Sequence, residues 1–83
     1  MSTVKQQILP GQELDGGIVI ASVYLNDTDY EDALVLALLL MPEPGRHYRM
    51  VDVWETSREV IVRSGFENIV PAVEAYQENG GDY

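Results

Sequence analysis

The sequence predicts a small α+β domain: an antiparallel four-stranded β-meander with one C-terminal helix packed on one face. Three observations predict it. Residues 17–25 are a β-branched run between Gly16-Gly17 and Asn26-Asp27, the pattern of a strand bounded by turns. Pro42-Glu43-Pro44-Gly45 separates two further apolar segments as a hairpin loop would. From Phe66 onward the spacing changes, and Ile69, Val73 and Tyr76 follow at intervals of three and four, which is helical.

Taken in order, residues 1–15 read as an N-terminal arm whose apolar residues are Val4, Ile8, Leu9 and Leu14. Gly16-Gly17 reads as a turn; it precedes a strand, whereas a phosphate-binding glycine loop follows one and opens a helix. The first strand, 17–25, is apolar on both faces. Ala33 to Met41 is uniformly apolar, so periodicity does not classify it. Its Ala and Leu content, with Asp29, Glu31 and Asp32 ahead of it, suits a helix. Its place before a hairpin loop favours a central strand buried on both faces, which is the reading taken. Tyr48 to Trp54 partly alternates, with Tyr48, Met50 and Trp54 on one side, Arg49, Val51 and Val53 on the other, and Asp52 breaking the pattern. Arg58 to Arg63 supplies a fourth strand whose charged ends suit an edge. Ser64 to Glu67 matches a capping box, but a helix begun there would hold Pro71 in its interior; Asn68 as the cap puts Pro71 in the first turn. The helix spans 68–79 and stops at Gly80-Gly81. Residues 1–83 thus form one domain, with the meander over 17–64.

One helix covers one sheet face, so two strands apolar on both faces predict that something covers the other. The expectation is the N-terminal arm, a second copy of the chain, or a partner protein. A chain of 83 residues without cysteine has no disulfide to supplement its core, which also favours a homodimer.

The formal charge is −9, unevenly placed. Residues 6–45 hold seven carboxylates (Glu13, Asp15, Asp27, Asp29, Glu31, Asp32, Glu43) and no Lys or Arg, whereas all four arginines fall between 46 and 63. Such a chain repels nucleic acid phosphates and anionic membranes, so direct binding to either is not expected, and a protein partner with a basic surface is. The N-terminal seven residues carry one basic residue and no apolar run of signal-peptide length, and the longest apolar run is far short of the ~20 residues a membrane helix needs. A soluble, cytoplasmic protein is expected.

Asp27-Thr28-Asp29-Tyr30-Glu31-Asp32 is the densest acidic cluster. As a calcium loop it fails, having Asp32 where the sixth-position glycine belongs and Leu38 where the final glutamate belongs. His47 is the single histidine, no cysteine is present, and no serine carries nucleophile-elbow glycines, so no catalytic set assembles. No enzyme activity, metal or cofactor is expected. The candidate interaction surface is Asp27, Asp29, Tyr30, Glu31 and Asp32 with the aromatic residues Tyr24, Tyr48 and Trp54, which can anchor an interface if exposed. Acidic loops flanking the two most apolar strands suggest an interface with an apolar centre and an acidic rim.

Pro44-Gly45-Arg46-His47-Tyr48-Arg49-Met50-Val51-Asp52-Val53, with the stretch from Phe66 to Tyr76 and the Gly-Gly-Asp-Tyr end, resembles small accessory proteins of bacteriophages that infect actinobacteria. The resemblance covers the C-terminal half. It implies a protein made in the bacterial cytoplasm that acts by binding a host or phage protein, and carries over no functional residue. A nucleic acid mimic that inhibits a DNA-binding protein, and a virion or assembly component, are the alternatives.

Overall fold

The computed structural model describes residues 8–25, 33–42 and 47–81. Five strands and one helix follow one another: β1 (Glu13–Leu14), β2 (Gly17–Tyr24), β3 (Leu34–Met41), β4 (His47–Trp54), β5 (Val60–Phe66) and α1 (Ile69–Glu78). The strands pair antiparallel in the order β1-β2-β3-β4-β5, a meander in which every neighbour in sequence is a neighbour in space. The α+β class holds, and so does the strand over the ambiguous apolar run. β3 pairs on both sides, with β2 and β4, which is where a segment without a polar face belongs.

The sheet has five strands instead of the expected four, because the N-terminal arm contributes β1. Asp15 and Gly16 both adopt positive φ, 50° and 81°. They form a two-residue hairpin turn that places Leu14 opposite Gly17. Just upstream, Pro10-Gly11 turns the chain again with Gly11 at φ 95°. The ladder then continues through the Gly11 amide on the Val19 carbonyl (2.7 Å) and the Val19 amide on the Gln12 carbonyl (2.8 Å). This path delivers Ile8 onto the sheet, where it is buried and its carbonyl accepts a hydrogen bond from Ser22 Oγ at 2.7 Å.

Strand β5 also begins and ends later than expected. Arg58 takes a left-handed conformation, φ 62°, and closes the β4–β5 turn with its amide on the Trp54 carbonyl. The ladder then runs to Phe66, through the residues of the apparent capping box. α1 accordingly starts after Asn68, an extended N-cap residue, with Pro71 in its first turn. Its C-terminus is closed by the Gly80 amide on the Gln77 carbonyl and the Gly81 amide on the Tyr76 carbonyl, with Gly80 at φ 107°, a Schellman arrangement.

Pleating sorts the side chains into two cores. The helix face gathers Ala21, Leu36, Leu38 and Met50 against Ala72 and Tyr76 of α1. The other face gathers Val19, Val35, Ala37, Leu39, Met41, Val51 and Val53, with Ile8 from the arm. A bulge at Ile20, between the pairs Val19↔Leu39 and Ala21↔Leu38, turns both Ile20 and Ala21 to the helix side.

The second face is therefore closed within one chain. Val35, Ala37, Leu39, Val51 and Val53 have no exposed surface. The sheet curls around them, and two polar ties cross that face from the β2 side to the β4 side. At one end Arg49 Nη1 meets Asp15 Oδ2 at 3.4 Å; at the other the Tyr24 hydroxyl donates to Glu55 Oε2. The open apolar face from which a second copy was expected is not present; Ile8 and the curl occupy it.

Candidate interaction surface

Of the sequence-predicted surface, Asp27, Asp29, Tyr30, Glu31 and Asp32 lie outside the described residues. Their flanks are fixed. The Leu25 amide bonds the Leu34 carbonyl and the Glu55 amide bonds the Ala33 carbonyl, each at 2.8 Å. The acidic segment therefore leaves and rejoins the sheet at the end that carries Tyr24, Trp54 and the β4–β5 turn.

The three aromatic residues do not form one surface. Tyr24 faces the curled side beside Val35's row, packs against that core and is half-buried. Trp54 pairs with Leu34 in the adjacent row on the helix side, also half-buried. Tyr48 stands at the opposite end of β4, between Leu40 and Phe66, and packs into the helix-side core. At the usual strand rise it is about 20 Å from Trp54. Tyr24 and Trp54 share an end of the sheet but not a face.

At that end sits a polar cluster that the sequence did not announce. Glu55, immediately after β4, is 6% exposed. Its carboxylate accepts from Tyr24, and Arg58 from the same turn lies close enough to act on the phenol electrostatically. Burial, then the hydrogen bond and the negative charge of Glu55, push the Tyr24 phenol up to about 12, against the opposing influence of Arg58 and the Ile8 backbone. A tyrosine held in this way keeps its proton and is not an activated base or nucleophile. The cluster fastens the β4–β5 turn to β2 and to the arm.

Among the described residues, Arg49 and Arg63 pair with carboxylates of their own chain. Arg49 pairs with Asp15. Arg63, the extra residue of a bulge opposite Met50 and Val51, reaches Asp52 at 3.5 Å and donates to Asn79 Oδ1 at 2.8 Å. This pairing explains Asp52 on the helix side of β4, and places a cation at the C-terminal end of a helix that has no basic residue in its last turn. Arg46 lies outside the described residues. Asp15 and Asp52 are the carboxylates that Arg49 and Arg63 engage, against 14 carboxylates in the whole sequence.

Apart from Ile18, the apolar side chains of β2 and β3 expected at an interface centre are not among the exposed ones, since they are mostly folded inward. Ile61 and Val62 on β5 are each 51% exposed, and Val70 on the first turn of α1 is 63% exposed. Ile18, Leu9, Leu25 and Ile69 are exposed to smaller degrees. A shallow depression over the β1–β2 turn is lined by Glu13 to Ile18 and Pro42. Among the described residues no group of three or more His, Asp or Glu side chains is placed to hold a metal ion, and no helix is long and apolar enough to cross a membrane. Compared with protein-family models, with characterised proteins and with solved structures, the chain finds no match in any of the three.

Proposed function

We propose that this protein is a small acidic binding module, without catalytic activity of its own, that docks on a protein carrying a basic surface. The observation that supports this most is the charge distribution within the fold. Arg49 and Arg63 each pair with a carboxylate of their own chain and Arg58 acts on the Tyr24 phenol, while the acidic segment 27–32 joins the sheet at the end that carries Tyr24 and Trp54. Carboxylates concentrated in this way steer a basic partner to one end of the molecule and repel nucleic acid. In keeping with the resemblance of its C-terminal half, the setting proposed is a bacteriophage accessory protein acting on a host or phage protein in the bacterial cytoplasm. Tyr24 and Trp54 belong to the docking end, and Tyr48 does not.

The test is affinity capture with the wild-type chain and with a variant in which Asp27, Asp29, Glu31 and Asp32 are all changed to Lys, at low and high salt. The expected result is a captured protein with a basic surface, released by salt and not retained by the variant. Equal capture by both chains sinks the proposal. If the captured protein binds DNA and the wild-type chain displaces that DNA, the nucleic acid mimic is the correct form of the reading; co-sedimentation with virus particles selects the structural alternative.

A further inference from the structure

The outer edge of β5 carries a self-complementary sequence. Residues 59–63 read Glu-Val-Ile-Val-Arg, which about its centre, Ile61, is symmetric in its apolar residues and antisymmetric in its charges. β5 ends the strand order, so among the described residues no strand pairs with its outer side. The Glu59 carbonyl accepts from the Trp54 amide at 3.0 Å, which turns Glu59 toward β4. Backbone groups alternate in direction along a strand, so Ile61 also faces β4, while the amides and carbonyls of Val60 and Val62 point outward. We infer that two copies of this chain associate by antiparallel pairing of their β5 edges about a two-fold axis at Ile61, forming one continuous sheet.

Every feature of the edge fits that pairing. With Ile61 opposite its own copy, Val60 lies opposite Val62 of the second copy, and the outward groups of each pair exchange two hydrogen bonds. Glu59 comes opposite Arg63 of the second copy, twice by symmetry, on the side of the sheet that carries the helix. Arg63 is already held there by Asp52 and Asn79, so little further ordering is needed to meet a second carboxylate. Ile61 and Val62, each half exposed in a single chain, become covered. The bulge at Arg63 bends the strand after the fifth residue, which ends the ladder there and keeps the contact short. A parallel or shifted pairing would set Glu59 against Glu59 or leave the charges unmatched. This inference concerns the outer edge of β5 and stands apart from the acidic segment 27–32, which lies on the β2–β3 connection.

Sedimentation equilibrium over about 10 μM to about 1 mM protein, at a salt concentration where the screening length is about 8 Å, tests it. Wild type is expected to move from the 9.3 kDa chain mass toward twice that value. Ile61→Lys places two ammonium groups face to face at the axis, and Glu59→Arg sets arginine against arginine; each is expected to weaken association about tenfold or more. Arg63→Glu alone is expected to do the same, yet mixing it with Glu59→Arg restores the dimer, because both facing pairs are then opposite in sign. Wild type that stays monomeric throughout overturns the inference, as does a dimer that survives Ile61→Lys and Glu59→Arg, or a mixture that does not associate. If Arg63→Glu loses its fold through the nearby Asp52, the other two variants decide the question, since their side chains are exposed in the single chain. A monomer whose β5 accepts only a foreign strand also counts against it.

Discussion

Tyr24 and Glu55 show how a residue can be placed by chemistry that its neighbours in sequence do not suggest. A carboxylate this buried is tolerated because a phenol donates to it. The phenol in turn is raised to about 12, so in the folded chain it holds its proton through the range where an unfolded tyrosine loses one. The folded state binds that proton more tightly, so its contribution to stability is complete below about pH 10 and is lost as pH rises toward about 12. An absorbance titration of tyrosinate should therefore show a step near pH 12 that is absent from Tyr24→Phe. In Glu55→Gln that step should move down but not fully back, because burial is the larger cause. Gly17 illustrates the opposite constraint, absence of a side chain. A Cβ there would overlap Met41 Sδ and lie 3.0 Å from the Leu40 carbonyl oxygen. Gly17→Ala should destabilise the fold by about 1–3 kcal/mol in urea unfolding, as overpacking does; a neutral result would mean Met41 has room to move aside.

The elements differ in how legible they were. β2 and β4 follow from β-branched composition and partial alternation, and α1 from its spacing and its terminal glycines, all of which are local signals. β1 was equally local but missed: Asp15-Gly16 is a favoured pair for a two-residue hairpin turn, and reading Gly16-Gly17 as the punctuation concealed it. The end of β5 was obscured by competition. Ser64 to Glu67 has the composition of a cap, but pairing with β4 satisfies those backbone groups first. The arm earns its place through Ile8, which is 1% exposed within the curled core. Ile8→Ala should cost about 2–4 kcal/mol in chemical denaturation and loosen protection of the Val19 amide in hydrogen exchange. A loss below 1 kcal/mol would show that the arm rests on the sheet without sealing it. Gly16→Ala, at φ 81°, should cost about 1–2 kcal/mol for the left-handed conformation alone.

At the scale of the whole molecule, curvature and charge are the properties that matter. The curl lets one chain close both faces of its sheet, tied across by Arg49 to Asp15 and by Tyr24 to Glu55. It leaves the β5 edge and the acidic end as separate surfaces with different chemistry. Partner binding at the acidic end should weaken steeply with salt, since exposed charges are screened beyond about 8 Å at physiological ionic strength. Self-association through β5 should respond to salt less, because its core is apolar and backbone-bonded; isothermal titration and sedimentation in parallel salt series distinguish the two. The sequence by itself determined the α+β class, the strand character of most segments, the helix and its stops, and the surplus of carboxylates, because each rests on local composition, spacing or a sum over residues. Only the tertiary structure decided which apolar face is covered and by what, that Glu55 is buried, that Asp15 and Arg49 meet, and that among the described residues β5 ends the sheet. Those outcomes depend on sheet curl and strand register, which bring together residues far apart in the chain and are set by packing over the whole sheet instead of by any one segment.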